Sequence, residues 1–476
     1  MDITRGFGRM AKKTDQRTFQ AKVKQFVEAL KEDIASGVYR PGDFLPSEET
    51  LSRQFDLSNR SIRHGLDQLV QEGLIVKQPR VGNRVASNTI VKVAYRDSLI
   101  RDVEFERLLA LFHTRYPTIR IQLVRTGVFP SFADGMTPYL DYGQADIVLM
   151  NHFDFRDMLE SGRLDRLEPV QPIEGGYDKL NGAFQADGVQ YALPFLYSPV
   201  VLCYNPEHFR EVGVNEPVSG WTWDDLRFAA GKLSGGGRRI GFFYHLLSIN
   251  RWLVFLLQNG IQFTQKNDGG YEVDLPLLMD SFRFSRDLLF KSNGIPVFAS
   301  ETEEEVMQIF REGRASMLLA TYFSLNDLIK DNIAFEIAPL PQGKSDQTLL
   351  LTTGWAINRA SNEKEAALQF VHFLSSPEAQ DFVRHTSLSL PALKVPFDSA
   401  RDECVNRRPS RFDLHHEIAS TYRLHSELMF PLNRLYALRN ALKLYWFGLK
   451  DETIILEEVK ALLAPDWKAD NESRFD

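Results

Sequence analysis

The chain has 476 residues, 43% hydrophobic and 25% charged, with a net charge of −7. That composition excludes a disordered or fibrous chain, and the length exceeds one ordinary core, so two or three domains are expected. Residues 1–88 hold 15 Lys and Arg against 11 Asp and Glu, net +4; the remainder holds 41 against 52, net −11, so a mildly basic head precedes a body that phosphate would repel.

In the head, Phe19, Val23, Phe26, Val27, Leu30 and Ile34 recur at the three- and four-residue spacing of one helical face, and Gly37 ends that helix. The turn Arg40-Pro41-Gly42 follows. Ser47 then offers an N-cap for a short helix carrying Leu51 and Phe55. Ser58 caps a third helix, about Asn59 to Glu72, with Ile62, Leu66, Leu69 and Val70 inward and Gly73 as its stop. Asn59, Arg60 and Arg63 are left on its outer N-terminal face, where a recognition helix meets a major groove. Strands Leu74 to Lys77 and Asn83 to Ala86 flank a turn and form a β-hairpin wing, with Arg80 and Arg84 suited to phosphate or the minor groove.

The runs RPGDFLPSEETLSRQF, SNRSIRHGLDQLVQEGLI and VGNRV, in this order, resemble the winged-helix domain of GntR-type transcription regulators over about Phe19 to Ser87. The resemblance implies operator DNA as partner, with Ser47, Ser58, Asn59, Arg60, Arg63, Arg80, Gly82 and Arg84 at the interface. Glu49, Asn59 and Arg80 stand where the family has Arg, Arg and Gly, which points to an operator other than the family's commonest.

Ala86-Ser87-Asn88-Thr89 leads without a linker into the strand Ile90 to Tyr95. A helix with Phe105, Leu108, Leu109 and Phe112, a strand through Ile119, Ile121 and Leu123, and the strand Ala145 to Met150 follow. Strand, helix, strand order implies a parallel α/β sheet whose ligands sit at the carboxyl ends of strands. That rule selects Tyr95, Arg96 and Asp97 after the first strand, and Asn151, His152 and Asp154 after Met150.

Six blocks, from LFHTRYPTIRIQLV at Leu111 to TTGWAINRASNEKEAALQFVHFLSSPEAQ at Thr352, resemble family 1 extracellular solute-binding proteins of the maltose-binding type, over about Ile90 to Leu463. The fold so implied is a two-lobed α/β periplasmic-binding-protein-like (type II) domain at 89–476, behind an α+β winged helix-turn-helix domain at 18–88. Lobe one would hold about 90–197 and 337–375, lobe two about 198–336 and 376–476, with hinges near Ser198-Pro199 and Ala334 to Ala338. Trp355 and Tyr322 stand at family positions that face the cleft, with Tyr95, Tyr197 and Trp252 as further aromatic candidates. A flat ring beside hydrogen-bonding groups is what a sugar needs.

Other signals carry no chemistry. Ser234-Gly235-Gly236-Gly237-Arg238 lacks the frame of a P-loop. Adjacent His415 and His416 would not face one metal as an i, i+4 pair would. Cys203 and Cys404 make neither a disulfide framework nor a CxxC motif. No nucleophile elbow or catalytic Cys-His set appears, so neither catalysis, a metal nor a cofactor is expected. The first twenty residues lack a signal peptide's apolar run, and no stretch approaches the roughly 20 apolar residues of a spanning helix. The expectation is a cytoplasmic, homodimeric, DNA-binding regulator whose effector is a sugar or oligosaccharide. The alternatives are a transport-associated binding protein and a regulator sensing a peptide or polyamine.

Overall fold

The computed structural model describes residues 10–79, 81–86, 89–96, 102–234, 239–291, 300, 302–394, 404 and 408–468. Arg80 and Asp97, and the glycines of the 234–238 run, lie outside them. Contacts divide the chain into two units, 1–91 with 109–122, and 92–108 with 123–476.

The first unit begins with α1 (Met10–Ser36), α2 (Glu48–Phe55), α3 (Asn59–Gln71) and the hairpin β1 (Ile75–Gln78) and β2 (Gly82–Val85), paired antiparallel from Ile75↔Val85 to Gln78↔Gly82. Its helices start where their caps allow: Ser47 accepts from Thr50 N, and Ser58 from Ser61 N. Val23, Phe26, Val27, Leu30, Leu51, Ile62, Leu66, Leu69 and Val85 close a separate small core. Gly65 lets α1 and α3 approach, since a Cβ there would lie 2.6 Å from the Phe26 ring. The unit extends beyond the sequence boundary at 88 because the chain runs directly on: Thr89 N donates to Thr118 O at 2.9 Å, where a second segment returns.

β3 (Thr89–Tyr95), α4 (Phe105–Arg115) and β4 (Ile119–Arg125) are each divided between the two units. There follow α5 (Phe132–Asp141), β5 (Ile147–Asn151), α6 (His152–Glu160), β6 (Ala192–Tyr204), α7 (Trp223–Leu233), β7 (Ile240–Phe243), α8 (Ile249–Asn259), α9 (Leu275–Lys291), α10 (Glu303–Arg311), β8 (Ala315–Thr321), α11 (Tyr322–Lys330), β9 (Glu336–Ala338) and β10 (Thr348–Ile357). The rest is α12 (Lys364–Leu374), α13 (Pro377–Thr386), β11 (Leu390–Pro391), the single turn α14 (Leu414–Glu417), β12 (Tyr422–Arg423), α15 (Leu432–Trp446) and α16 (Glu452–Leu463).

One sheet runs β4-β3-β5-β10-β6-β8-β7, with β9 and β11 also on β6 and β12 on β10. All 13 residues of β6 are buried. Its first part pairs with β10, from Ala192↔Ala356 to Pro199↔Leu350, and its second part pairs with β8, from Val200↔Thr321 to Tyr204↔Met317. Two sub-sheets, each with parallel strands at its outer end, are therefore joined through β6. The change of partner falls at Pro199-Val200. The return falls later than the sequence placed it: β9 pairs with Leu202 to Tyr204, so residues 337 and 338 stay with the second half, and the chain re-enters the first only along β10. An apolar strand beside a helix end gave no cue to which half it joined. No described helix is long and apolar enough to cross a membrane.

Candidate functional site

On the head, Ser47, Ser58, Asn59, Arg60, Arg63 and Arg84 are all exposed. Arg63 Nε lies 2.6 Å from Glu48 Oε2, an ion pair that ties α3 to α2, and Arg84 Nε donates to Gly42 O at 2.6 Å while its guanidinium sits over Phe44. Gly82 has φ 138, a conformation that favours glycine and opens β2. Glu49, the acidic departure, is paired with Arg53 one turn on, so the charge it adds to the face is locally cancelled.

In the larger unit, a cavity of about 230 Å³ lies at the carboxyl ends of strands. Its wall includes Asn151, Ser248 and Thr321, the N-caps of α6, α8 and α11, so three helix N-termini turn their positive ends toward one space. Asp102, Glu303 and Arg251 add charge. The Arg251 guanidinium is held by Leu319 O at 3.2 Å, Asn250 O at 3.1 Å and Glu303. Half-buried Phe323 and buried Phe153 supply aromatic surface.

Five buried polar atoms of this wall have no protein partner: His152 Nδ1, Asn250 Oδ1, Thr353 Oγ1 and both ring nitrogens of His425. A buried polar group left unbonded costs about 1–3 kcal/mol, so a cluster of them marks a place built to bond something else. The His152 and His425 rings are 4.4 Å apart, and His425 lies parallel to Phe153. Burial, with the charge of Arg156, pushes His152 down to about 3; burial and its neighbours take His425 well below the usual imidazole range. Both are neutral near pH 7, each offering one donor and one acceptor. A larger groove of about 930 Å³ runs along the later turns of α6, where Arg156, Asp157 and Glu160 share the wall with Phe263, Tyr271, Met429 and Phe430.

Asn151 and His152 are the strand-end candidates that reach the cavity wall, although Asn151 spends its carbonyl on Asp154 N in a capping box. Arg96 and Asp154 meet each other instead, at 2.8 Å, where burial pushes the Asp154 carboxyl up against the pull of that guanidinium. Tyr95 is buried at the end of β3. The rings expected to stack on a ligand lie in cores. Trp355 stacks on Phe105 at 6.0 Å and packs against Phe195 and Phe370; Trp252 packs against Trp446 and Phe282. Tyr322, the first residue of α11, turns inward and donates to Phe412 O at 2.9 Å, which leaves its neighbour Phe323 on the cavity wall. Tyr197 lines a different cavity, with Tyr177, His415 and His416. His415 and His416, expected to face apart, have ring centres 4.0 Å apart because α14 is a single turn.

Asp102, Ser248, Asn250, Arg251, Glu303, Thr321, Thr353 and His425 were not anticipated. The strand-end rule, extended from β5 to β7 and β8, would have found Ser248 and Thr321. Nothing in the local sequence marks His425.

The joined sub-sheets, with a polar cavity at their strand ends, define a two-lobed solute-binding domain, carried here behind a winged helix. Residues 103–381 match the bacterial extracellular solute-binding protein family, to which the chain belongs, and residues 22–85 match the bacterial regulatory proteins of the gntR family. Over 270 residues the chain is 24% identical to the sn-glycerol-3-phosphate-binding periplasmic protein UgpB of Brucella abortus, covering 54% of this chain and 60% of that one. The head is 47% identical over 68 residues to the histidine utilization repressor of Klebsiella aerogenes, 14% of this chain and 27% of the relative. Among solved structures, the substrate-binding protein Lmo0181 of Listeria monocytogenes in complex with cycloalternan superposes with a TM-score of 0.67 at 18% identity, covering 79% of this chain and 98% of that one. The GacH receptor of Streptomyces glaucescens, solved unliganded and with acarbose, gives 0.65 at 16%, covering 80% and 100%.

Proposed function

We propose that the chain is a ligand-responsive transcription regulator whose winged helix grips operator DNA and whose two-lobed domain captures a small polyhydroxylated solute. The observation that carries this reading is the cavity with five unpartnered buried polar atoms, in a chain that also holds a GntR-family head. Neutral imidazoles, an amide and a hydroxyl exchange donors and acceptors with hydroxyl groups, and Phe323 offers a face to C–H bonds. Structural neighbours solved with cycloalternan and acarbose are consistent with a carbohydrate.

A second reading, a polyol phosphate, is favoured by the three helix N-termini and Arg251, and by the glycerol-3-phosphate protein among the relatives. Asn59, Arg60, Arg63 and Arg84, with Arg80, would contact the operator as a dimer in the cytoplasm. Ligand would bias the lobes between two states, and a preference of about 2–3 kcal/mol would change operator affinity roughly 30 to 150-fold.

The test is a thermal-shift panel of mono- and oligosaccharides and sn-glycerol 3-phosphate on the full chain, repeated with Asn250→Ala and Phe323→Ala. A hit that raises the melting temperature, and is weakened by both variants, supports the reading. Stabilisation by none of the panel would remove it.

A further inference from the structure

We propose that Asp413, His415 and His416 form a binding site for a divalent transition metal of the zinc type, separate from the solute cavity. Their candidate ligand atoms all lie within 4.8 Å of one another. A tetrahedral ion with bonds of about 2.0–2.2 Å holds neighbouring ligand atoms about 3.4 Å apart. Closing the difference takes at most about 1.4 Å of movement at that bond length, which the exposed His416 ring can supply by rotation.

His415 is already set in the form a metal needs. Its Nδ1 donates to the Phe412 carbonyl at 3.0 Å, so Nε2 carries the lone pair, an arrangement in which the second nitrogen's hydrogen bond orients the ligating one. Arg384 donates to Asp413 Oδ1 at 2.8 Å. Arg384 uses one carboxylate oxygen and leaves the other. It also brings a positive charge, which weakens the site for any cation without strong imidazole bonds. Two imidazoles and one carboxylate suit zinc, cobalt, nickel or copper, whereas magnesium and calcium prefer all-oxygen sets.

The site opens on a cavity of about 290 Å³ lined also by Tyr177, Tyr197, Pro391 and Leu393, so three protein ligands leave a fourth position for water or a small anion. Tyr422 donates to His415 O, and Tyr322 donates to Phe412 O from the start of α11. An ion here would fasten the 408–424 segment beside β6, the strand that joins the sub-sheets.

The experiment titrates full-length protein, stripped with a chelator, with ZnCl2 by calorimetry and with Co2+ by visible absorption. One equivalent of Zn2+ and a four-coordinate Co2+ spectrum are expected, with affinity reduced tenfold or more in His416→Ala and in Asp413→Asn. His372→Ala, an exposed histidine elsewhere, serves as control and is expected to bind like the wild type. Sub-stoichiometric binding to the wild type, or unchanged affinity in both site variants, would overturn the assignment. Neither readout depends on the effector.

Discussion

His152 and His425 lie ring to ring in the 230 Å³ cavity, with three ring nitrogens lacking a protein partner. Their depressed pKa values make stability depend on pH with a definite sign. Unfolded, each titrates near 6.5; folded, His152 is pushed down to about 3. Between those values the unfolded chain binds a proton that the native chain refuses, so the contribution is complete above about pH 6.5 and is lost as pH falls toward 3. Each such histidine costs about 1.4 kcal/mol per pH unit inside that window. Urea midpoints measured at pH 7.5 and 5 should fall more steeply for the wild type than for His152→Gln; parallel losses would show that His152 is not the titrating group. At the same scale, the strand-end rule selects Asn151 and His152, which the fold brings to the cavity wall, whereas Trp355 and Tyr322, expected to face the cleft, are buried in cores. Aromatic identity does not reveal facing: Trp355 is closed in by Phe105, Phe195 and Phe370, and a one-residue step along α11 decides that Phe323, not Tyr322, meets the cavity.

Among elements, the packing of α1 against α3 turns on Gly65. A methyl there would meet Phe26 at 2.6 and 2.7 Å and Val27 at 3.1 Å. Phe26 cannot yield easily, being fully buried and set edge-on to Phe55 at 4.9 Å. Overpacking costs about 1–3 kcal/mol, against at most about 1 kcal/mol gained from alanine's helix propensity. Gly65→Ala should therefore lower the melting temperature of the head, followed by circular dichroism, and Phe26→Leu in the same chain should restore part of it. A neutral or stabilising Gly65→Ala would mean that α1 and α3 are not pressed together here. The helices of the head were readable because Ser47 and Ser58 announce their starts and a 3.6-residue apolar period fixes their inner faces. The course of β6 and β10 was less so, since a strand buried along its whole length carries no alternation to say where it changes partner.

For the whole molecule, the question is whether the solute cavity and the head act as one device or share a chain. Only residues 86–88 separate β2 from β3 along the chain, and residues 109–122 cluster with the head in one unit. If the two sites are coupled, thermodynamics requires the coupling to be symmetric: a solute that changes operator affinity by some factor must have its own affinity changed by the same factor when operator is bound. Fluorescence anisotropy on labelled operator, with and without saturating solute, gives the first factor; calorimetry of solute binding to free and operator-saturated protein gives the second. Both should fall in the range of roughly 30 to 150-fold and agree within error. Asn250→Ala, which touches the cavity and not the head, should weaken solute binding in both states while leaving their ratio intact. A solute that binds tightly with a ratio near one would identify the domain as a binding module that does not report to the head, because a ligand with equal affinity for both states shifts neither.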